Sequence, residues 1–327
     1  MTRREFITLL GGAAVGWPLV ARAQQPAMPV IGFLARGPNG PNRWGASFNQ
    51  GLKEAGYVEG KNVAIEYRGA PPRFDRMLEL ATELVRQQVA VILTSNDGPA
   101  LAAKRATSTV PIVFFNIGSD PVKLGLVASI NRPGGNVTGA SFDTPQLAAK
   151  RLDLLCQAVP SAATVAYLTG GPSWLSFEEE KNSLVAAASA LGRQLIVVEC
   201  RTGAELGQSL ATVVERGAGA VTVASVPLFG ANADVVVSFA AQYKIPAMYP
   251  GRGFALRGGL MSYTINGADE IRIAAGLVGQ ILNGVMPTDL PVRNSTKFDF
   301  IINLKTAKAL GFTMPPSLLA AADEVIE

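Results

Sequence analysis

The sequence predicts an α/β protein built from two lobes, each with its own parallel β-sheet. Short apolar runs alternate with amphipathic helical patterns, which is typical of parallel strands covered by helices on both faces. The alternation is interrupted by a turn-rich segment at 133–139 and then starts again. The length of 327 residues also suits two domains better than one.

The first half of the chain contains strands and helices in strict alternation. Strands are marked by short apolar runs between turn residues, and helices by apolar residues at helical spacing. We predict strands at 29–34, 62–67, 89–94 and 111–116, and helices at 43–56, 73–87, 99–107 and 121–130. The last helix would begin at Pro121 with Asp120 as its N-cap, because proline suits the first helical position.

The second half repeats this pattern. We predict strands at 164–169, 194–199, 220–226, 246–249, 260–263 and 298–302, and helices at 177–191, 204–216, 232–243, 269–282 and 305–310. The chain should cross between the lobes near 133–139, after Tyr249 in the Gly- and Pro-rich segment 250–253, and near 287–291. This assigns 28–140 and about 251–290 to the first lobe, and 141–250 and about 291–327 to the second.

The N-terminus has the features of an export signal. Arg3 and Arg4 precede an apolar run that extends to Val20, and Ala21-Arg22-Ala23 provides an Ala-x-Ala cleavage site. The run is shorter than the roughly 20 residues needed to span a bilayer. We therefore predict a signal peptide over 1–23, of the twin-arginine type, with an ordinary Sec signal as the alternative. The mature protein should be soluble, periplasmic and monomeric.

Composition excludes several classes of function. The chain has no histidine, which excludes Ser-His-Asp and Cys-His catalysis and every His-ligated metal site. Its two cysteines, Cys156 and Cys200, are too few for a Cys₄ site and could form one disulfide or remain free thiols. The net charge of +4 includes no basic block, so nucleic acid is not expected as a partner. No cofactor or metal is expected.

Candidate ligand-binding residues follow from the position of the predicted strands. Ligands of open parallel sheets bind beyond the carboxyl ends of the strands. Applied to both lobes, this rule selects Arg36, Thr94, Ser95, Asn96, Asn116, Asp120, Ser141, Gly171, Phe229 and Tyr249. Structural roles are the alternative for some of them: Asp120 could be only a helix cap, Phe229 a core residue and Arg36 a surface cation.

The loop before the predicted helix at 99–107 suggests the chemistry of the ligand. A helix N-terminus flanked by Ser and Asn side chains favours an anion. We expect a ligand carboxylate to be held by Ser95, Asn96 and the backbone N–H groups near Gly98. Asp97 would repel this carboxylate unless it points away or binds a ligand ammonium group, for which Asp120 is the other candidate.

Several sequence stretches together resemble one protein family. They are Gly56-Tyr57-Val58-Glu59-Gly60-Lys61-Asn62-Val63, Asp120-Pro121-Val122-Lys123-Leu124-Gly125-Leu126-Val127, Asn131-Arg132-Pro133-Gly134-Gly135-Asn136-Val137-Thr138-Gly139, Gly258-Gly259-Leu260-Met261-Ser262-Tyr263 and Asn303-Leu304-Lys305-Thr306-Ala307-Lys308. These stretches closely resemble ABC-transporter substrate-binding proteins of the TrpX-like, tryptophan-binding family. The resemblance extends from Val30 to Glu327. One departure is Tyr249-Pro250-Gly251-Arg252-Gly253-Phe254, where the family often has Tyr-x-Arg-Glu-Phe.

The resemblance implies a periplasmic binding protein fold of the leucine-binding type, with a multi-stranded hinge and the ligand between the lobes. It implies no catalysis, and it implies ABC permease transmembrane subunits as partners. We therefore expect a receptor for a small carboxylate-bearing molecule, an amino acid or an aromatic acid. The alternatives are an exported α/β enzyme, which would need a nucleophile–base pair, and a ligand sensor not coupled to transport. A third class is a sugar-type repressor with the same two lobes. It would need an N-terminal helix-turn-helix, where this chain has the predicted signal peptide.

Overall fold

A computed structural model describes residues 28–37, 45–71, 73–173 and 176–327. The predicted signal peptide over 1–23 lies outside these residues. None of the helices within the described ranges combines the length and apolar character needed to cross a bilayer. Strands in this part of the chain form two sheets, and each sheet is covered by helices, so the predicted two-lobe α/β fold is confirmed.

The first sheet forms the core of the first lobe, and all its strand pairs are parallel. Its strands are β1 (Val30–Arg36), β2 (Ala64–Ala70), β3 (Val91–Ser95), β4 (Ile112–Ile117), β5 (Val137–Ser141) and β11 (Arg293–Asn294). They lie in the order β11-β5-β4-β3-β1-β2. Every residue of β3 is buried, because helices cover both faces of the sheet.

Helices on the first sheet pack in two pairs. They are α1 (Gly45–Glu54), α2 (Phe74–Arg86), α3 (Asp97–Ala106) and α10 (Gly267–Leu282). Phe48 and Leu52 of α1 share one apolar cluster with Ile271 and Val278 of α10. Helices α2 and α3 contribute to a second cluster on the opposite face. The contact between α1 and α10 is close, since a Cβ at Gly51 would lie 2.7 Å from the Cβ of Ala275.

The second sheet forms the core of the second lobe. Its strands are β6 (Thr164–Thr169), β7 (Gln194–Glu199), β8 (Ala220–Val223), β9 (Ala247–Tyr249), β10 (Met261–Ile265), β12 (Phe298–Asn303) and β13 (Glu324–Ile326). They lie in the order β13-β12-β10-β9-β8-β6-β7, and the β10–β12 pair is antiparallel. The remaining helices belong to this lobe: α4 (Thr144–Ala158), α5 (Phe177–Ala190), α6 (Leu206–Glu215), α7 (Pro227–Ala231), α8 (Ala233–Gln242), α9 (Arg252–Ala255), α11 (Leu304–Ala309) and α12 (Pro316–Ala321).

Within the described residues the chain passes between the two sheets three times. The first crossing joins β5 to α4, the second joins β10 to α10, and the third joins β11 to β12. The expectation that the segment 250–253 is a crossing is wrong, because β9 and β10 are neighbouring parallel strands of the same sheet. Of the range 251–290 expected in the first lobe, β10 lies in the second sheet and α10 packs on the first.

The expected helix at 121–130 is also absent from the structure. Residues 121–125 form turns instead. Gly125 adopts a positive φ of 68°, which ends helical geometry after little more than one turn. The Nζ of Lys104 donates to the carbonyl oxygens of Gly125 and Leu126, which would bond within a longer helix. The helix α4 was not predicted, and both cysteines are buried free thiols.

Candidate ligand-binding site

A cleft of about 890 Å³ lies between the two lobes. This volume is in the range of small-molecule sites. The cleft is formed at the carboxyl ends of first-lobe strands, by loops of the second lobe and by the crossings. Its lining residues are Arg36, Asn96, Asp97, Gly98, Asn116, Gly118, Phe142, Thr144, Ser225, Val226, Pro227, Gly230, Ala233, Pro250, Gly251, Arg252, Gly253, Phe254, Arg257, Thr264, Ile265, Asn266, Gly267, Ala268 and Asp299.

Two asparagines on the first-lobe wall have unusual backbone conformations. Asn96 follows β3 with φ 70° and ψ 162°, and Asn116 lies near the end of β4 with φ 54°. The Asn96 Nδ2 donates to the Asn116 carbonyl oxygen at 3.4 Å, and the pairing of β4 with β5 shifts register between Phe114 and Ile117. A residue other than glycine in such a region costs about 1–3 kcal/mol, and such residues cluster at functional sites. The wall is therefore held in a strained conformation where it faces the cleft.

Asp97 places a partly buried carboxyl group on the same wall. It is the first residue of α3, and its Oδ1 accepts from the Gly118 N–H at 3.1 Å while its Oδ2 accepts from the Ser119 hydroxyl at 2.7 Å. Burial raises the pKa of Asp97, although these hydrogen bonds and the charge of Arg36 oppose the rise. A carboxylate oxygen can accept more than one hydrogen bond. Asp97 can therefore still accept from a positively charged ligand group.

Arg36 is the cation of the first-lobe wall. It is the last residue of β1, is exposed and lines the cleft. Among the residues that the structure describes, none forms a salt bridge with its guanidinium group. Its positive charge also acts on the neighbouring Asp97 carboxyl group.

The arginines of the second-lobe wall are already paired. Arg252 forms a bidentate pair with Glu324, with Nη2 at 3.0 Å from Oε1. The Nε of Arg257 lies 3.1 Å from the carboxylate of Asp234, and its Nη1 donates to the Gly253 carbonyl oxygen at 2.7 Å. These pairs orient the loop between β9 and β10 and reduce the positive charge it presents.

The crossings between the lobes form the third side of the cleft. At the first crossing, Phe142 lines the cleft and the Thr144 hydroxyl donates to the Gly118 carbonyl oxygen of the other lobe at 2.6 Å. At the second crossing, the Asn266 Oδ1 caps α10 by accepting from the Asp269 N–H, and its Nδ2 donates to the Asp299 carboxylate at 2.8 Å. The same residues that connect the lobes therefore also face the cleft.

Three of the ten sequence-predicted residues line this cleft, namely Arg36, Asn96 and Asn116. Thr94 and Ser95 are buried on β3 and do not line the cleft, contrary to the expectation that the Ser95 hydroxyl contacts a ligand. Ser141 is buried next to the first crossing, and its hydroxyl lies 3.3 Å from the Asn294 side chain.

The other four predicted residues lie away from the cleft lining. Asp120 is exposed and accepts from the Val122 N–H at 2.8 Å, so it caps a turn. Gly171 has φ 73° and begins a short 3₁₀ turn beside Glu199. Phe229 and Tyr249 are fully buried in the second-lobe core, where Tyr249 stacks on Phe254 at 5.0 Å. Their rings turn inward, and the cleft wall is formed by the residues that follow Tyr249.

Sequence reasoning missed most of the second-lobe wall and the crossings. The Gly- and Pro-rich segment 250–253 did mark a special loop, and Arg252 could have been selected from it. Phe142, Asn266 and Asp299 carried no comparable signal, because their place in the cleft depends on where the chain changes lobe.

The sequence and fold are similar to those of several known proteins. Residues 42–326 match the model of a protein family described as ABC transporter substrate binding protein. A tyrosine-binding protein of Clostridioides difficile (strain R20291) is 28% identical over 267 residues, which cover 80% of this chain and 75% of that protein.

Solved structures share the two-lobe fold. An ABC domain in complex with L-Trp from Streptococcus pneumonia matches with a TM-score of 0.79 and 24% identity, over 91% of this chain and 99% of that one. The ligand-free, open structure of a substrate-binding protein with adhesive properties from Clostridium difficile matches with a TM-score of 0.74 and 25% identity, over the same shares of 91% and 99%.

Proposed function

Since the chain belongs to the ABC transporter substrate-binding protein family, we propose that it captures an amino acid in the cleft between its lobes and delivers it to a membrane permease. The observation that carries the proposal is the first-lobe wall, where Asp97 and Arg36 face one cleft from neighbouring strand ends. One acid and one cation in the same wall are complementary to the two charges of an α-amino acid.

The ligand ammonium group is assigned to Asp97. Hydrogen bonds from Gly118 and Ser119 hold its carboxylate in place and leave it able to accept from an ammonium donor. The ligand carboxylate is assigned to the Arg36 guanidinium, the Asn96 amide and the N-terminal end of α3, where the helix dipole favours negative charge. In this arrangement Ser95 takes no part.

Apolar groups on the other two sides of the cleft support an aromatic side chain on the ligand. Phe142, Val226, Pro227, Phe254 and Ile265 all line the cleft. Aromatic rings gain from packing against such surfaces and against other rings. The named ligands of two similar proteins, tyrosine and L-Trp, agree with this assignment.

Isothermal titration calorimetry on the mature protein tests the ligand assignment. L-tryptophan and L-tyrosine should bind with a stoichiometry of one, and their carboxamides should bind at least about tenfold more weakly, the scale of a lost hydrogen bond to a charged group. Asp97→Asn should weaken binding to a similar extent. Asp120→Asn is the matched control, because Asp120 is exposed and only caps a turn. Equal binding of the amino acids and their carboxamides would contradict the assignment of the ligand carboxylate to this wall.

Closure of the lobes is the second part of the proposal. Binding between two lobes favours the conformation in which both walls contact the ligand. Small-angle X-ray scattering should therefore give a smaller radius of gyration with saturating L-tryptophan than without it. An unchanged scattering curve at saturation would count against closure.

We also propose that the receptor works in the periplasm, without catalysis. The support is the predicted export signal and the family membership. A permease partner follows from the same membership. Proteoliposomes containing the permease would test this partner, since transport should depend on the added receptor.

A further inference from the structure

Two buried ionisable side chains lie immediately behind the cleft walls, one in each lobe. Arg151 lies on α4, the helix that follows the first crossing, and Glu270 lies on α10, the helix that follows the second. Arg151 is 2% exposed and Glu270 is 0% exposed. Burying a charged group is costly unless its interactions compensate. Each side chain therefore needs partners that compensate for its burial.

Arg151 binds two backbone carbonyl groups of the second lobe. Its Nε donates to the Tyr263 carbonyl oxygen at 2.7 Å, and its Nη2 is 3.4 Å from the Pro250 carbonyl oxygen. Pro250 lines the cleft, and Tyr263 directly precedes the lining residues Thr264 and Ile265. One guanidinium group thus connects the helix after the first crossing, the strand before the second crossing and the cleft loop.

The charge of Arg151 is compensated inside the second lobe. Glu180 of α5 is fully buried and attracts Arg151. The Tyr167 hydroxyl donates to Glu180 at 2.8 Å, and the Ser176 hydroxyl forms a further short hydrogen bond with it. Burial lowers the pKa of Arg151 to about 10, so the group stays positively charged near neutral pH. The guanidinium is therefore held in a fixed position beneath the cleft loop.

Glu270 has the corresponding place in the first lobe. Its Oε1 accepts from the Asn116 backbone N–H at 2.8 Å, across 154 residues of sequence. Asn116 is the residue at positive φ whose carbonyl oxygen also accepts from the Asn96 side chain. Within the described part of the chain, the Glu270 Oε2 is buried without a hydrogen-bond partner. This carboxyl group therefore holds the strained wall in position from behind.

We propose that Arg151 and Glu270 are positioning residues. Each fixes the ligand-facing backbone of its lobe to the helix that follows a crossing, α4 for Arg151 and α10 for Glu270. Neither side chain lines the cleft, so each acts through the backbone that it binds. The effect on ligand affinity rests on the proposed function, whereas the effect on the wall backbone does not.

Methionine variants remove the polar groups and nearly keep the volume. Arg151→Met and Glu270→Met should each weaken L-tryptophan binding by about tenfold or more at unchanged stoichiometry, as expected for displaced ligand hydrogen bonds. Glu270→Gln keeps an acceptor for the Asn116 N–H and should restore affinity to within about threefold of wild type. A role in packing alone would give Gln and Met the same affinity, which would overturn the proposal for Glu270.

Control variants change similar groups that do not touch the cleft backbone. Asp269→Asn alters the neighbouring carboxylate on α10, whose partners are Arg272 and Lys297. Arg193→Met alters a partly buried arginine of the second lobe near Cys156. Both should leave the dissociation constant within about twofold. If a methionine variant fails to fold, Arg151→Lys or Glu270→Asp replaces it, since Lys cannot span both carbonyl groups and Asp is too short to reach Asn116.

Hydrogen–deuterium exchange without ligand separates this inference from the proposed function. Glu270→Met should speed exchange about tenfold in the peptide 112–118, and Arg151→Met should do so in 251–256, with other core peptides unchanged. Unaltered exchange in these segments would overturn the inference whether or not the wild type binds L-tryptophan. Failure of the wild type to bind any amino acid, with exchange altered as expected, would reject only the proposed function.

Discussion

The buried carboxyl group of Glu270 should make the stability of the first lobe depend on pH. Burial raises the pKa of Glu270 from 4.5 to about 8, and the hydrogen bond from the Asn116 N–H only partly opposes this rise. Among the residues that the structure describes, no charged side chain contributes to the shift. At neutral pH the folded protein therefore keeps this carboxyl group protonated, while the unfolded chain ionises it.

The sign of the effect follows from the two pKa values. Below pH 4.5 both states are protonated, and the stability associated with the neutral carboxyl group is fully present. As the pH rises from there to about 8, the unfolded state loses its proton first and stability falls. At ~1.36 kcal/mol per pH unit, the total loss is about 5 kcal/mol.

The variant Glu270→Gln removes the proton and keeps the acceptor. Its amide NH₂ replaces the unpartnered Oε2, which should cost about 1–3 kcal/mol at every pH. The free energy of unfolding of the variant, relative to wild type, should therefore increase steadily between pH 5 and pH 8, by about 4 kcal/mol in total. At pH 8 the variant should be the more stable protein.

Urea unfolding followed by circular dichroism at pH 5, 6, 7 and 8 measures this difference. Asp269→Asn is the control on the same helix. Burial works against ionisation there, but hydrogen bonds from Arg272 and Lys297 lower the pKa of Asp269 below 3.8 overall. The difference between this variant and wild type should consequently be constant from pH 5 to pH 8. A flat difference for Glu270→Gln as well would refute the reasoning.

Three further predictions concern the strained wall, strand β5 and the N-terminus. Asn96→Gly should raise the free energy of unfolding by about 1 kcal/mol, because glycine tolerates the positive φ, and should weaken L-tryptophan binding since the amide is lost. Gly139→Ala should destabilise by about 1–3 kcal/mol or more in urea unfolding, since its Cβ would lie 2.3 Å from the Phe114 carbonyl oxygen. Changing both Arg3 and Arg4 to Lys should leave precursor in the cytoplasm, as seen by cell fractionation and immunoblotting.

Each of these has an outcome that would contradict it. Tighter ligand binding by Asn96→Gly would show that the amide does not contact the ligand. Wild-type stability of Gly139→Ala would mean that β5 can move away from β4 at little cost. Normal periplasmic delivery of the double lysine variant would favour a Sec signal over the twin-arginine type.

The sequence alone was sufficient for the fold class and for most element positions. Residues 164–169 and 194–199 are strands with the predicted bounds, because short buried runs between turn residues are a local signal. The strand-end rule also selected Arg36, Asn96 and Asn116, since the first-lobe sheet is entirely parallel and its strand ends meet at one edge. These features depend on residues close together in the chain.

The tertiary structure decided the features that depend on distant parts of the chain. Helix α4 was missed because Arg151 interrupts its apolar face. The carbonyl groups of Pro250 and Tyr263 and the charge of Glu180 explain why an arginine is buried there. Tyr249 is at a strand end, yet its ring faces the core and not the cleft. Glu270 has the sequence signature of an exposed first-turn acid, and its burial follows from the packing of α10 against β4. Burial and side-chain direction are set by partners that sequence spacing does not reveal.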